Sequence, residues 1–163
     1  MLIDFHSLYD RYAPDVYRFA LYLSGDAALA DDITQEAFVR AWVMPGEVRG
    51  GTVKAYLLAI ARNLYRAEGK RAARQVALPA TLPDRKPGPE ALVSERLELA
   101  AVLESLQVLP EVDRAALLMH ALDEMPYAEI AAALGLSVAA AKVKVHRARI
   151  RLNQLREPQR GQS

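Results

Sequence analysis

The stretch "LGLSVAAAKVKVHRARIRL", residues 134–152, decides how this chain is read. A Gly-Leu-Ser break leads into a run in which cations recur at nearly every second or third position. Gly135 permits the positive φ that a tight turn between helices needs, and Ser137 is a good N-cap for the helix that follows. At the helical period, Ala141, Val145, Ala148, Leu152 and Leu155 fall on one side and form a buried stripe. Ala139, Ala140, Val143, His146 and Arg147 fall on the other, with Lys142 and Lys144 on the flanks. A face that is narrow at its N-terminal end and cationic further along suits a helix entering a DNA major groove by its N-terminus. Val143 then points an apolar side chain away from the core, where it can meet a thymine methyl. Arg147 suits a guanine edge or a phosphate. Lys142, Lys144, Arg149 and Arg151 suit phosphates, which position a protein without specifying sequence.

The bland alternative is a solvated basic helix near a C-terminus. The preceding segment weighs against it. In "MPYAEIAAALGLS" (125–137), Pro126 suits a first helical turn. Ile130 and Leu134 face inward, and Ala131 and Ala132 are small enough for a second helix to cross closely. Together the two segments have helix-turn-helix form.

The rest of the chain also reads as helix. Phe5, Leu8, Tyr9, Tyr12, Val16, Phe19, Ala20 and Leu23 step by threes and fours, and "SGD" at 24–26 ends that run. Further helices are expected over about 29–43, 52–74, 91–106, 111–122, 127–134 and 138–155. The segment "LPATLPDRKPGPE" (78–90) holds four prolines and a glycine, which suit neither helix nor sheet. The expected fold is therefore all-α: two small helical domains joined by a Pro-rich linker, the C-terminal one a helix-turn-helix. The domains are assigned as 1–75 and 93–157, with 76–92 between them.

The net charge of +1 hides a segregation. Residues 54–74 carry Lys54, Arg62, Arg66, Lys70, Arg71 and Arg74 against Glu68 alone, and residues 142–163 carry seven cations against Glu157. The blocks before them, 1–53 and 75–141, are both net acidic. Two basic patches suggest two contacts with a polyanion that the acidic blocks do not share. Charge alone does not separate this from chance clustering on solvated helices.

The first basic block, "TVKAYLLAIARNLYRAEGKRAAR" (52–74), sets Arg62, Arg66 and Lys70 along one face with Asn63 beside them, and interleaves Tyr56 and Tyr65. Cations track phosphates and aromatic rings stack on exposed bases. A solvated basic face with core tyrosines is the competing reading. The glycine-rich loop 44–51 would shape a pocket for such a base. In the helix before it, "ALADDITQEAFVRAWV" (28–43), Ile33, Thr34, Ala37, Phe38 and Ala41 make one face. Asp32, Gln35, Glu36, Val39 and Val43 make the other. An ordinary solvent face has no need of two bare valines among carboxylates; a basic protein partner does. The competing reading packs Trp42 and Val43 under the next loop.

Several classes are disfavoured. No apolar run approaches the length of a membrane span, and "MLIDFHSLYDRY" lacks the basic-then-apolar order of a secretory signal. Cysteine is absent, so thiolate metal sites and disulfides are out, and a cytoplasmic location is expected. His6, His120 and His146 share no ligand spacing. No phosphate-cradling glycine motif or nucleophile–base pattern is present, so no catalytic residues, cofactor or metal are expected.

In order and spacing, "FHSLYDRYAPDVYRFAL" (5–21), "DDITQEAFVRAW" (31–42), "YLLAIARNLYR" (56–66), "LPEVDRAALLMHALDEMPYAEIAAALGLS" (109–137) and "KVHRARIRL" (144–152) resemble the extracytoplasmic-function sigma factors, small two-domain initiation factors of bacterial RNA polymerase. Each motif is weak alone; the ordered set is specific. The resemblance implies an alternative sigma factor that binds core RNA polymerase and directs promoter-specific initiation. Asp31, Asp32, Gln35, Glu36, Val39 and Val43 would dock on the clamp of the largest subunit, and the flap of the second-largest subunit would be a further contact. Lys54, Tyr56, Arg62, Asn63, Arg66, Lys70, Arg71 and Arg74 would engage the minus-ten element. Ser137, Ala139, Ala140, Lys142, Val143, Lys144, His146, Arg147 and Arg149 would engage the minus-thirty-five element. The linker would thread through polymerase, and an anti-sigma partner would hold the protein inactive.

Departures from the family pattern are informative. Tyr56 stands where a tryptophan is usual, Ala67 near a usual aspartate, and Gly69 inside a helix expected to be continuous. Ala139-Ala140-Ala141-Lys142-Val143-Lys144 replaces the usual Gly-Thr-Val-Lys-Ser-Arg. The loss of hydroxyls predicts an unusual minus-thirty-five sequence, T-rich opposite Val143. A regulator that binds duplex DNA without polymerase is the main competing function; a helical adaptor that binds only proteins leaves both basic blocks unexplained.

Overall fold

The computed structural model describes residues 5–43, 52–74 and 90–160, with side chains described except at 70–74, 90–94 and 157–160. Among these residues there are seven helices and no strand: α1 (Phe5–Ser24), α2 (Ala27–Val43), α3 (Val53–Arg74), α4 (Glu90–Gln107), α5 (Glu111–Ala121), α6 (Tyr127–Leu134) and α7 (Val138–Arg160). The all-α expectation holds. The linker 76–89 and the loop 44–51 lie outside the described residues.

Local sequence explains where the helices begin and end. Gly25 takes φ +73° and its N–H donates to Leu21 O, closing α1. Asp26 then caps α2, its Oδ1 accepting the Leu29 N–H at 3.1 Å, and Thr52 Oγ1 accepts the Ala55 N–H to start α3. Gly69 interrupts nothing: α3 runs through it.

Helices α1, α2 and α3 pack on one another through Val16, Phe19, Leu23, Ile33, Phe38, Leu57 and Leu58, all buried. Helices α5, α6 and α7 pack through Leu118, Met119, Ile130, Ala141, Val145 and Ala148. The buried apolar residues of both halves form one connected cluster, because α1 packs on α4 and α5 and α3 packs on α6. Arg114 seals this junction. Its Nη1 donates to Leu23 O at 2.6 Å and to Gln107 Oε1 at 3.0 Å, and its guanidinium lies 5.9 Å from the Tyr65 ring. Gln107 Nε2 donates to Leu23 O as well. The C-terminal carbonyls of α1 are thus satisfied by side chains more than eighty residues away, one of them a cation placed at the negative end of the helix.

Candidate nucleic-acid and polymerase interface

The turn between α6 and α7 is built as its sequence dictates. Gly135 sits in the left-handed region at φ 68°, ψ 36°, and the N–H groups of Gly135 and Leu136 both donate to Ala131 O. Ser137 Oγ accepts the Ala140 N–H at 3.0 Å. Ala141, Val145 and Ala148 are buried and Leu152 and Leu155 half-buried. This fixes the opposite face of α7: Ala139, Lys142, Val143, His146, Arg147 and Arg149 are exposed, Val143 by 52%. Ser137 is exposed at the start of this surface and Ala140 is half-buried beside it. Ile150 is exposed further along.

Three cations of α7 are partly engaged within the protein. Lys144 Nζ lies 3.5 Å from Oδ1 of Asp113, and Arg147 Nε lies 4.0 Å from its Oδ2. The Asp113 carboxylate is buried on α5. Lys142 Nζ stands 5.8 Å from the Tyr127 ring, which stacks in turn on His120 at 4.6 Å. These contacts tie α7 to α5 and α6, while Arg149 and Arg151 are exposed to solvent.

On α2, Asp31, Asp32, Gln35, Glu36, Val39 and Val43 all lie on the exposed face, with Val43 70% exposed. Of these, Asp32, Gln35, Glu36 and Val39 line an open groove of about 510 Å³ between α2 and α3, which Leu29, Ile33, Leu64 and Glu68 complete; Asp31 and Val43 do not line it. Glu36 is held by Arg40 one turn on, and Gln35 by Asp31. The sequence points to the α2 side of the groove and not to Leu64 and Glu68, which join it through the packing of α3 on α2. Trp42, which the competing reading packs under the next loop, is half exposed, its ring edge-on to Phe5 at 5.3 Å.

The basic face of α3 divides. Asn63 and Arg66 are exposed, and Tyr56 is half-buried. Arg62, expected beside Arg66 on an open face, is only 5% exposed. It makes two parallel bonds to Glu111 of α5, Nε to Oε1 at 2.7 Å and Nη2 to Oε2 at 2.8 Å. Lys54 Nζ lies between Asp123 (3.4 Å) and Asp15 (3.7 Å). The side chains of Lys70, Arg71 and Arg74 lie outside the described residues.

Asp123, two residues beyond the end of α5, is buried. Its Oδ1 takes Lys54 and, at 3.5 Å, Arg18, while its Oδ2 has no hydrogen-bond partner. Burial pushes this carboxyl above its ordinary value, against the pull of Lys54 and Arg18.

The family model described as sigma-70 region 2 matches residues 8–75, and that described as sigma-70 region 4 matches residues 99–152. The ECF RNA polymerase sigma factor SigM of Bacillus subtilis is 33% identical over 161 residues, covering 95% of each chain. The chain belongs to the ECF RNA polymerase sigma factors. The sigma factor SigL of Mycobacterium tuberculosis is also 33% identical, over 86% of this chain and 81% of its own. Against SigE of Mycolicibacterium smegmatis the identity is 32%, and this sigma factor spans 57% of that longer protein. Among solved structures, the sigma factor RpoE of Bartonella quintana in complex with the anti-sigma factor NepR matches with a TM-score of 0.72 and 26% identity, over 94% of this chain and 97% of that one. CnrH in complex with the cytosolic domain of CnrY matches with a TM-score of 0.73 and 27% identity, over 94% and 88%. As a sigma factor, the chain directs promoter-specific transcription initiation. Among its described residues no helix is long and apolar enough to cross a membrane.

Proposed function

We propose that this sigma factor docks on core RNA polymerase through the α2–α3 groove and reads promoter DNA with α3 and α7, with no catalysis of its own and in the cytoplasm. Residues 1–75 serve as the polymerase- and minus-ten-binding unit, 76–92 as the linker and 93–157 as the minus-thirty-five-binding unit. The observation that carries the DNA assignment is the back-to-back arrangement of α7. Ala141, Val145 and Ala148 are buried in the helix-turn-helix, which leaves Ala139, Val143, His146 and Arg149 on an outward stripe. Ser137, Ala140, Lys142, Lys144 and Arg147 complete that surface. On α3, Lys54, Tyr56, Arg62, Asn63, Arg66, Lys70, Arg71 and Arg74 form the minus-ten set.

The docking assignment rests on charge and shape. A groove lined by apolar side chains and three carboxylates fits a basic helical surface such as the clamp of the largest subunit. The flap of the second-largest subunit is a further partner of the C-terminal unit. The two solved relatives named above are complexes, one of them with an anti-sigma factor, and a partner of that kind is proposed for this chain.

The test is binding of labelled full-length chain to core polymerase. Asp32→Lys with Glu36→Lys places like charge against the basic partner and is expected to weaken binding more than about tenfold, with helicity unchanged. Unchanged affinity in the folded double variant refutes the groove as the docking surface. Specific duplex binding with no affinity for core favours a polymerase-independent regulator.

A further inference from the structure

A second open cavity, of about 450 Å³, lies between α1, the start of α3 and the turn from α5 to α6. Four carboxylates line it, Asp15, Asp123, Glu124 and Glu129, against two cations, Arg11 and Lys54. Both cations are already engaged. Lys54 stands between Asp15 and Asp123, and the Arg11 guanidinium lies 5.5 Å from the Tyr12 ring. Glu124 and Glu129 pair with no cation among the described residues, so the excess negative charge sits on the wall supplied by the α5–α6 turn and α6. Asp123 lines the same cavity with its side chain shielded from solvent, and its Oδ2 has no hydrogen-bond partner. One buried acceptor of the wall is therefore unfilled. Glu124 agrees with this reading. It takes φ 51°, the one positive φ at a non-glycine among the described residues, a conformation with a steric cost that glycine avoids. Among the described residues no three carboxylates or imidazoles are grouped to hold a metal ion, so the charge fits an organic cation. Tyr12, Met125 and Pro126 give the cavity apolar wall as well.

We propose that this cavity binds a linear aliphatic polyamine, with its ammonium groups on Glu124, Glu129 and the open oxygen of Asp123 and its methylene chain on Tyr12, Met125 and Pro126. Charge-assisted N–H···O bonds to the carboxylates supply most of the affinity. The apolar wall favours a chain of methylenes over a compact cation. The occupant touches α1 on one side and the α5–α6 turn on the other, so binding stabilises the folded chain by mass action. The site is separate from the α2–α3 groove and from the outward face of α7, and it does not depend on the roles proposed for those surfaces.

The test uses the full chain with spermidine as the probe, at fixed ionic strength. Calorimetry is expected to show one site. The unfolding midpoint is expected to rise by roughly 2–4 °C once spermidine exceeds its Kd several-fold. Glu124→Gln with Glu129→Gln is expected to weaken binding about tenfold or more. Glu98→Gln with Glu104→Gln removes the same charge from the exposed face of α4 and is expected to leave binding unchanged. Glu124→Gly separates site from fold. It relieves the left-handed strain, so the variant alone is expected to melt above the wild type while its response to spermidine falls. If that variant does not fold, the two paired glutamine variants decide. Three results each overturn the proposal: no one-site binding by the wild type, equal binding by the Glu124→Gln, Glu129→Gln variant, or an equal rise in midpoint with magnesium chloride at the same ionic strength. None of these measurements involves polymerase or DNA, so a failure to bind core counts against the proposed function and not against this site.

Discussion

Lys144 on α7 and Asp113 on α5 are joined at 3.5 Å, the carboxylate buried and the ammonium at its edge. The pair ties α7 to α5 through a residue that its sequence alone assigns to DNA. Lys144 and Arg149 therefore differ in role although both are cations on one helix. Arg149→Ala is expected to lower the salt dependence of duplex binding by about one unit of slope, as removal of one phosphate contact does. Lys144→Ala is expected to change the slope less and to lower stability by about 2 kcal/mol, because it leaves Asp113 buried with only the distant Arg147. Salt titrations of holoenzyme binding and urea unfolding of the two variants check this.

Val143 is half exposed on the outward stripe, where an apolar side chain gains nothing from the core. Val143→Ser is expected to change base preference at one minus-thirty-five position, away from thymine. A binding-site logo that is the same for variant and wild type contradicts the assignment.

The turn and the long helix give a pair of opposite stability effects. Ser137→Ala removes the Oγ that accepts the Ala140 N–H, and a loss of about 1 kcal/mol is expected. A Cβ at Gly69 would meet nothing within 4 Å, and the residue lies inside a continuous helix, so Gly69→Ala is expected to gain about 0.5–1 kcal/mol. Denaturant midpoints at constant slope read both.

Asp123 gives a pH signature. Burial raises its carboxyl above the ordinary 3.8 in the folded chain, so the folded state holds this proton more tightly than the unfolded state does. Its contribution is most favourable in acid and is lost as pH rises from 3.8 through the raised value. Asp123→Asn removes that dependence. Relative to wild type, the Asn variant is expected to become progressively more stable as pH rises through this window, with a constant difference near neutrality. A difference that does not vary with pH contradicts the burial argument.

Much of this was legible in the sequence because it is local. Gly135 and Ser137 fix the helix-turn-helix joint by their own backbone and side-chain chemistry. The buried stripe of α7 and the Ile33, Thr34, Ala37, Phe38 face of α2 follow from the period of 3.6 residues. Helix ends came within a few residues: the helix expected from about Leu29 begins at Ala27, and the one expected to end near Leu155 runs to Arg160. What the sequence did not give was the partner of each cation. Arg62 and Arg66 are one helical turn apart and look alike on a wheel, yet one is buried on Glu111 and the other meets solvent. That difference is set by Glu111 at the start of α5, 49 residues away in sequence. The groove was half legible for the same reason: its α2 wall is periodic, while Leu64 and Glu68 join it only through packing. Lys144 likewise reads as a phosphate contact until Asp113 is placed beneath it.

The most direct test of the central claim is transcription itself. Core RNA polymerase, this chain and a randomised promoter library are mixed, and the transcribed sequences are selected and read. The account predicts enrichment of a two-part motif, present only when the chain is added, with its upstream element altered by Val143→Ser and its downstream element weakened by Arg66→Ala. A chain that binds core yet enriches no motif, or one that fails to bind core at all, contradicts it.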